Sequence, residues 1–337
     1  MKSILKPVII LPCFLKTVII ILLAGCNANN INKLHLAGQS VDSSFQPALI
    51  FQSGFEHTCQ VIPYAKSNHK IVGKDLSLSE KNDWVADLDK RFTNGNVYIN
   101  YTGGDSTKRF AKIIDEPGHP SNKVLWFWLN DSWLASENQQ KARVQVDLYG
   151  IRGGYKEFYQ SIRVFLHNDF NALKKYPAAI KWLTIAEFWN NEWWVKTEKY
   201  GFRITLGIGK PTAAESDFYF ILNAENAGQK EVWTQHDHTV KVPVGKWFTM
   251  DYYYKEGNNE TGRFYMAITP DGEGKKVVYD VKGYTHNTFD PNPGGVTGYN
   301  PMKLYTSKEV VGFMKSQDKT LQIYWDDFKL WTNKQHG

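Results

Sequence analysis

From Ala48 onward, apolar and polar residues alternate at period two in short runs, bounded by Gly, Pro, Asn and Asp. These runs predict strands at Ala48–Phe51, Asn96–Tyr101, Lys123–Leu129, Ala142–Tyr149, Phe158–His167, Trp182–Trp189, Phe202–Ile208, Asp217–Asn223, Trp247–Tyr254, Gly262–Thr269, Lys275–Val281 and Leu321–Trp331. Helical spacing is rare. It is clearest at Ser307–Ser316, where a serine stands at the cap position, and Lys174–Ala179 reads as a short turn. No repeat of 20–50 residues is visible, which argues against a propeller or solenoid. The pattern predicts an all-β fold, a two-sheet antiparallel β-sandwich of jelly-roll type with few short helices, formed by residues 48–337 as one domain.

The N-terminus follows another pattern. Lys2, Lys6 and Lys16 precede the apolar stretch Val18–Leu23 and the small residues Ala24 and Gly25, which lead to Cys26. A basic segment, an apolar segment and a small-residue cleavage site form an export signal, too short in its apolar part for a membrane span. The run Leu22-Leu23-Ala24-Gly25-Cys26 resembles a bacterial lipobox. That resemblance implies cleavage of residues 1–25 and acylation (palmitate or a similar chain) of Cys26. It also implies a lipid-anchored protein of the bacterial cell envelope, at the outer membrane. Residues 26–47 are polar and aperiodic and read as a tether.

Composition narrows the chemistry. The net charge of +6 includes the three leader lysines, and the leader holds no acid, so the remainder carries only +3. That balance gives no support to a nucleic-acid partner but suits an acidic polysaccharide. The three cysteines are Cys13, Cys26 and Cys59. With Cys13 removed and Cys26 acylated, Cys59 has no intramolecular partner and no disulfide framework forms. Aromatic residues make up 15% of the chain, enough to fill a β core and to leave rings for sugar stacking.

Candidate site residues lie on the predicted strands. Arg143, Gln145 and Asp147 share one sheet face, with Val144 and Val146 on the other. Glu187 and Trp189 share a face, and Glu192 follows at the spacing Glu-x-x-x-x-Glu, with Trp193 and Trp194 beside it. His236 and His238 share a face if their segment is extended, and Asp251–Lys255 places Tyr252 and Tyr254 opposite Tyr253. The Pro-, Gly- and Asn-rich loop His286–Lys303 leads to Lys303 and Tyr305 and reads as a groove wall.

The opening segment 48–56 and closing segment 321–331 resemble the first and last strands of the concanavalin A-like lectin/glucanase superfamily. The resemblance implies that the two ends pair in one sheet and that a sheet face forms a sugar-polymer groove. Within that superfamily, Arg143-Val144-Gln145 and Lys303-Leu304-Tyr305 resemble strands of the jelly-roll polysaccharide lyases, such as the alginate and glucuronan lyases. This implies β-elimination on a uronate polymer. Arg143 and Gln145 would neutralise the carboxylate, Tyr305 would act as acid/base, and Lys303 would hold the substrate. Glu187 stands where those lyases carry a Gln-Ile-His strand. Trp189, Tyr254, His236 and His238 complete the expected substrate contacts, and the His pair could supply a partner base. A glycan-capturing lipoprotein without catalysis is one alternative. A family 16-like glycosidase using Glu187 and Glu192 is another. No cofactor is required. Glu56, Asp326 and Asp327 are expected oxygen ligands of a structural Ca²⁺ at the terminal strands.

Overall fold

The computed structural model describes residues 47–65, 68–101, 108–134, 140–191 and 198–334. Cys26, Glu192, Trp193 and Trp194 lie outside the described residues. Two antiparallel sheets build an all-β sandwich. In the eight-stranded sheet the order is Lys276–Lys282, Arg263–Pro270, Trp247–Lys255, Glu157–Leu166, Leu321–Thr332, His119–Leu129 and Arg109–Glu116, with Ala48–Ser53 also paired to Leu321–Thr332. The first and last strands therefore meet, Phe51 standing opposite Leu330 and Ser53 opposite Phe328.

The eleven-stranded sheet runs Lys230–Lys241, Tyr219–Asn226, Phe202–Gly209, Leu183–Asn190, Gly298–Asn300, Gln140–Tyr149, Val97–Asn100, Asn68–Val72 and Gln60–Ala65. Lys303–Ser307 also lies between Leu183–Asn190 and Gln140–Tyr149, and Trp133–Leu134 pairs with Gln140–Tyr149. The central position is thus shared by two short strands with Pro301 and Met302 between them. Proline has no N–H for a ladder, and the Met302 carbonyl keeps the register by accepting from Val146 N–H at 2.9 Å. The expected loop wall is therefore in part a sheet strand.

Alternation decides what each strand buries. Val144, Val146 and Leu148 join Ile162, Val164 and Leu166 of the facing sheet in one hydrophobic core. Tyr252 and Tyr254 also face inward. Tyr254 is fully buried, its ring 5.3 Å from Phe158, and its hydroxyl donates to Thr285 O at 2.7 Å. This corrects the sugar-stacking expectation for Tyr254. Period two places Tyr252 and Tyr254 together, but only the second sheet determines that their side is the core.

The helix Lys308–Ser316 forms where its spacing predicts, with Ser307 Oγ accepting from Val310 N–H at 3.4 Å. It packs its buried face of Val310, Val311 and Met314 into the core.

Each of the expected calcium ligands has another partner. A register shift follows Asp326, and Asp327 adopts φ 48°, a left-handed bulge conformation. Asp326 is buried and accepts from Asn122 Nδ2 at 3.0 Å, whereas Asp327 is half-exposed beside Lys329 at 3.8 Å. Glu56 Oε1 instead accepts from Lys123 N–H at 2.6 Å. Among the described residues, no three His, Cys, Asp or Glu side chains group to hold a metal ion.

Candidate functional site

The outer face of the eleven-stranded sheet carries the site. Because Val144 and Val146 are in the core, period two sends Arg143, Gln145 and Asp147 outward. Antiparallel register sets Tyr305 opposite Arg143 and Lys303 opposite Gln145. Across the next strands, Glu187 pairs with Thr205, Trp189 with Arg203, and Arg203 with Glu225. A register shift between Thr184 and Ala186 marks a bulge at the start of this face.

These residues surround a cleft of about 700 Å³, whose wall includes Arg143, Lys181, Glu187, Arg203, Lys303 and Tyr305. Trp182, Trp189, Asn223 and Glu225 also face it. The lining carries four basic side chains, Arg143, Lys181, Arg203 and Lys303, against two acidic ones, Glu187 and Glu225. A low-dielectric wall strengthens that excess and favours an anionic ligand.

Three ion pairs organise the charge. Lys303 Nζ lies 2.5 Å from Glu187 Oε2, and both side chains are almost completely buried. Arg203 approaches Glu187 Oε1 at 3.6 Å and clasps Glu225 Oε2 through Nε and Nη2 at 2.9 and 2.8 Å. Burial pushes the Glu187 carboxyl upward, but the adjacent Lys303 and Arg203 charges outweigh it and hold Glu187 below its ordinary range. Burial pulls the Lys303 ammonium down to about 8, against the pull of Glu187. Glu187 is therefore an ionised anchor for two cations, not a proton donor. The expected direct grip of Lys303 on substrate is also revised, since its ammonium is committed to Glu187.

Below the cleft runs a buried polar chain. Trp189 Nε1 donates to Asn300 Oδ1 at 3.2 Å, Asn300 Nδ2 donates to Asp147 Oδ1 at 2.7 Å, and Gln145 Nε2 donates to the same oxygen at 2.5 Å. Burial raises the Asp147 carboxyl to about 6, opposed by Arg143, Lys303 and the Gln145 bond. Gln145 is only 1% exposed. It supports the floor, and the expectation that it neutralises a substrate carboxylate is corrected accordingly.

Tyr305 is the hub of the cleft wall. Its ring meets Trp182 edge-on at 4.9 Å, with Arg143 Cζ at 5.5 Å and Lys303 Nζ at 4.9 Å from its centroid. Arg203 Cζ stands 5.4 Å from the Trp189 ring. Such an arrangement combines a hydroxyl, flanking cations and aromatic faces, as needed to bind a charged sugar and transfer a proton.

His236 and His238 are not part of this group. Both are exposed and line a neighbouring pocket of about 430 Å³ with Tyr219 and Lys210. They do not supply a base beside Tyr305. Sequence reasoning missed Arg203, Glu225, Asn223, Trp182 and Asn300. The runs Arg203-Ile204-Thr205 and Asn223-Ala224-Glu225 carry the same polar alternation as Arg143 to Asp147 and hold the signal that could have found them.

No family model matches the chain, and the search of curated proteins returns no match. Among solved structures, the chain is similar to a marine alginate lyase from Aplysia kurodai, with TM-score 0.46 and 9% identity over 84% of this chain and 99% of that one. It is similar to an endo-β-1,4-glucuronan lyase from the fungus Trichoderma reesei, with TM-score 0.43 and 16% identity over 66% and 87% of the two chains. An alginate lyase from a Chlorella virus gives TM-score 0.40 and 10% identity over 66% and 89%.

Proposed function

We propose that this chain is a polysaccharide lyase that cleaves an acidic, uronate-containing polymer by β-elimination in the 700 Å³ cleft. The observation that carries the reading is Tyr305 flanked by Arg143 and Lys303 in a predominantly cationic wall. Elimination next to a carboxylate requires the negative charge developing on the uronate to be stabilised. Arg143 is assigned that task, with Lys303 adding field from the wall. Tyr305 is the acid/base. The C5 proton is removed, the C4–C5 double bond forms as the C4–O4 bond breaks, and O4 takes a proton. Trp182 offers a ring to the sugars, whereas Trp189, buried with Arg203 over its ring, belongs to the floor, which corrects its expected substrate contact.

A non-catalytic glycan-capturing module is the second reading. It is favoured by the separation of the histidine pair from Tyr305 and by the locked Lys303–Glu187 pair. One experiment separates the readings. The domain is incubated with alginate, glucuronan, ulvan and glycosaminoglycans. Ultraviolet absorbance of an unsaturated uronate supports elimination, whereas gel retardation without product supports capture alone. New reducing ends without that absorbance support hydrolysis.

We propose further that Cys26 is acylated and anchors the protein to the outer membrane. Cys26→Ala should release it from the detergent phase in a detergent-partition experiment. Retention of that variant in the detergent phase would discard the anchor.

A further inference from the structure

We infer that the polymer does not end at the Tyr305 cleft but continues along the sheet into the pocket lined by Tyr219, His236 and His238, which takes a further uronate residue. This rests on the reading that the cleft binds an acidic polysaccharide.

The two sites share one strand as their floor. On Phe202–Gly209 the outward positions are Arg203, Thr205, Gly207 and Gly209, so the last two present no side chain. Gly207 lines the first site and Gly209 the second. A Cβ on Gly209 would run into the Ile221 side chain, so glycine is needed there to pack against the neighbouring strand. Lys181, Ile221 and Asn223 line both pockets and make them neighbours along one trough. Exposed Lys181 therefore places one cation where the two meet.

The far pocket has the chemistry for a charged sugar. Register sets His236 opposite Ile221, on the same outward side as Asn223 and Thr234. The His238 ring lies 5.2 Å from Tyr219 and 6.2 Å from His236, so two imidazoles and a phenol ring stand together. Imidazole N–H groups donate to carboxylates and hydroxyls, and the Tyr219 face can stack on a pyranose. Lys210, also in the lining, is buried and spends its ammonium on Thr212 O and Ala214 O at 2.5 and 2.8 Å, which fixes the segment beside the pocket.

The test uses the exposed double variant His236→Ala/His238→Ala, whose side chains do not support the core. Wild type and variant are compared on alginate and glucuronan, as polymers and as size-fractionated short oligomers, by turnover and by affinity-gel retardation. The inference expects a roughly tenfold weaker KM or retardation on polymer from the loss of two donors. It expects unchanged kcat and unchanged behaviour on oligomers too short to span both pockets. Equal retardation and equal KM on polymer for the two proteins would overturn the inference while leaving the Tyr305 cleft intact. No retardation and no turnover by wild type on any acidic polymer would overturn the parent reading and the inference with it.

Discussion

Lys303 Nζ lies 2.5 Å from Glu187 Oε2, and the two side chains are 2% and 3% exposed. This buried pair joins Lys303–Ser307 to Leu183–Asn190 beside the acid/base candidate. Removing one partner should leave a buried charge without its nearest counter-ion. Glu187→Gln and Lys303→Met should each destabilise by about 3–5 kcal/mol, and the double variant by less than the sum. Urea unfolding of the four proteins in a double-mutant cycle checks this. Additive effects would contradict a direct buried pair.

Asp147 gives a pH signature. Its carboxyl is raised from 3.8 to about 6 by burial, so the folded protein holds the proton more tightly than the unfolded chain. The stability this contributes is full below about pH 4 and is lost as pH rises through about 6. Asp147→Asn, which cannot ionise, should gain on wild type by on the order of 3 kcal/mol across that window. Denaturant midpoints at several pH values measure the difference, and parallel curves would refute the assignment.

Tyr254 should behave as a core residue. Tyr254→Phe removes a hydroxyl that bonds Thr285 O at 2.7 Å and Asn190 Oδ1 at 3.3 Å. A loss of about 1–3 kcal/mol in stability is expected, with substrate affinity unchanged. A weakened KM at unchanged stability would return Tyr254 to the binding surface.

Arg143 is predicted to act on the charged transition state. Arg143→Ala should lower kcat on a uronate polymer roughly 10²–10³-fold. Binding should lose part of its salt dependence in the same variant. Steady-state kinetics and retardation at several salt concentrations read both, and a change confined to KM would demote Arg143 to a binding contact.

The strand pattern was legible because alternation survives in sequence. Ala142–Tyr149 and Leu321–Trp331 were predicted close to the observed Gln140–Tyr149 and Leu321–Thr332. Arg143, Glu187, Lys303 and Tyr305 were legible as candidates on one face, and the structure brings all four to the lining of one cleft. Burial depth was not legible. Gln145 alternates with Arg143 but sits under the floor, because Asp147 and the strand holding Lys303 enclose it. Arg203 and Glu225 were overlooked because their meaning depends on cross-strand register, which a one-dimensional pattern does not carry. The calcium expectation met a related limit, since spacing does not reveal that Glu56, Asp326 and Asp327 each turn to a different protein partner.

The most direct test of the account is the turnover of wild type and Tyr305→Phe on acidic polysaccharides, read as unsaturated-uronate absorbance and paired with gel retardation. The account predicts that wild type produces that absorbance. It predicts a loss of about 10²–10⁴-fold in the variant with retardation unchanged. Full turnover by Tyr305→Phe, or product carrying new reducing ends without unsaturation, would contradict it.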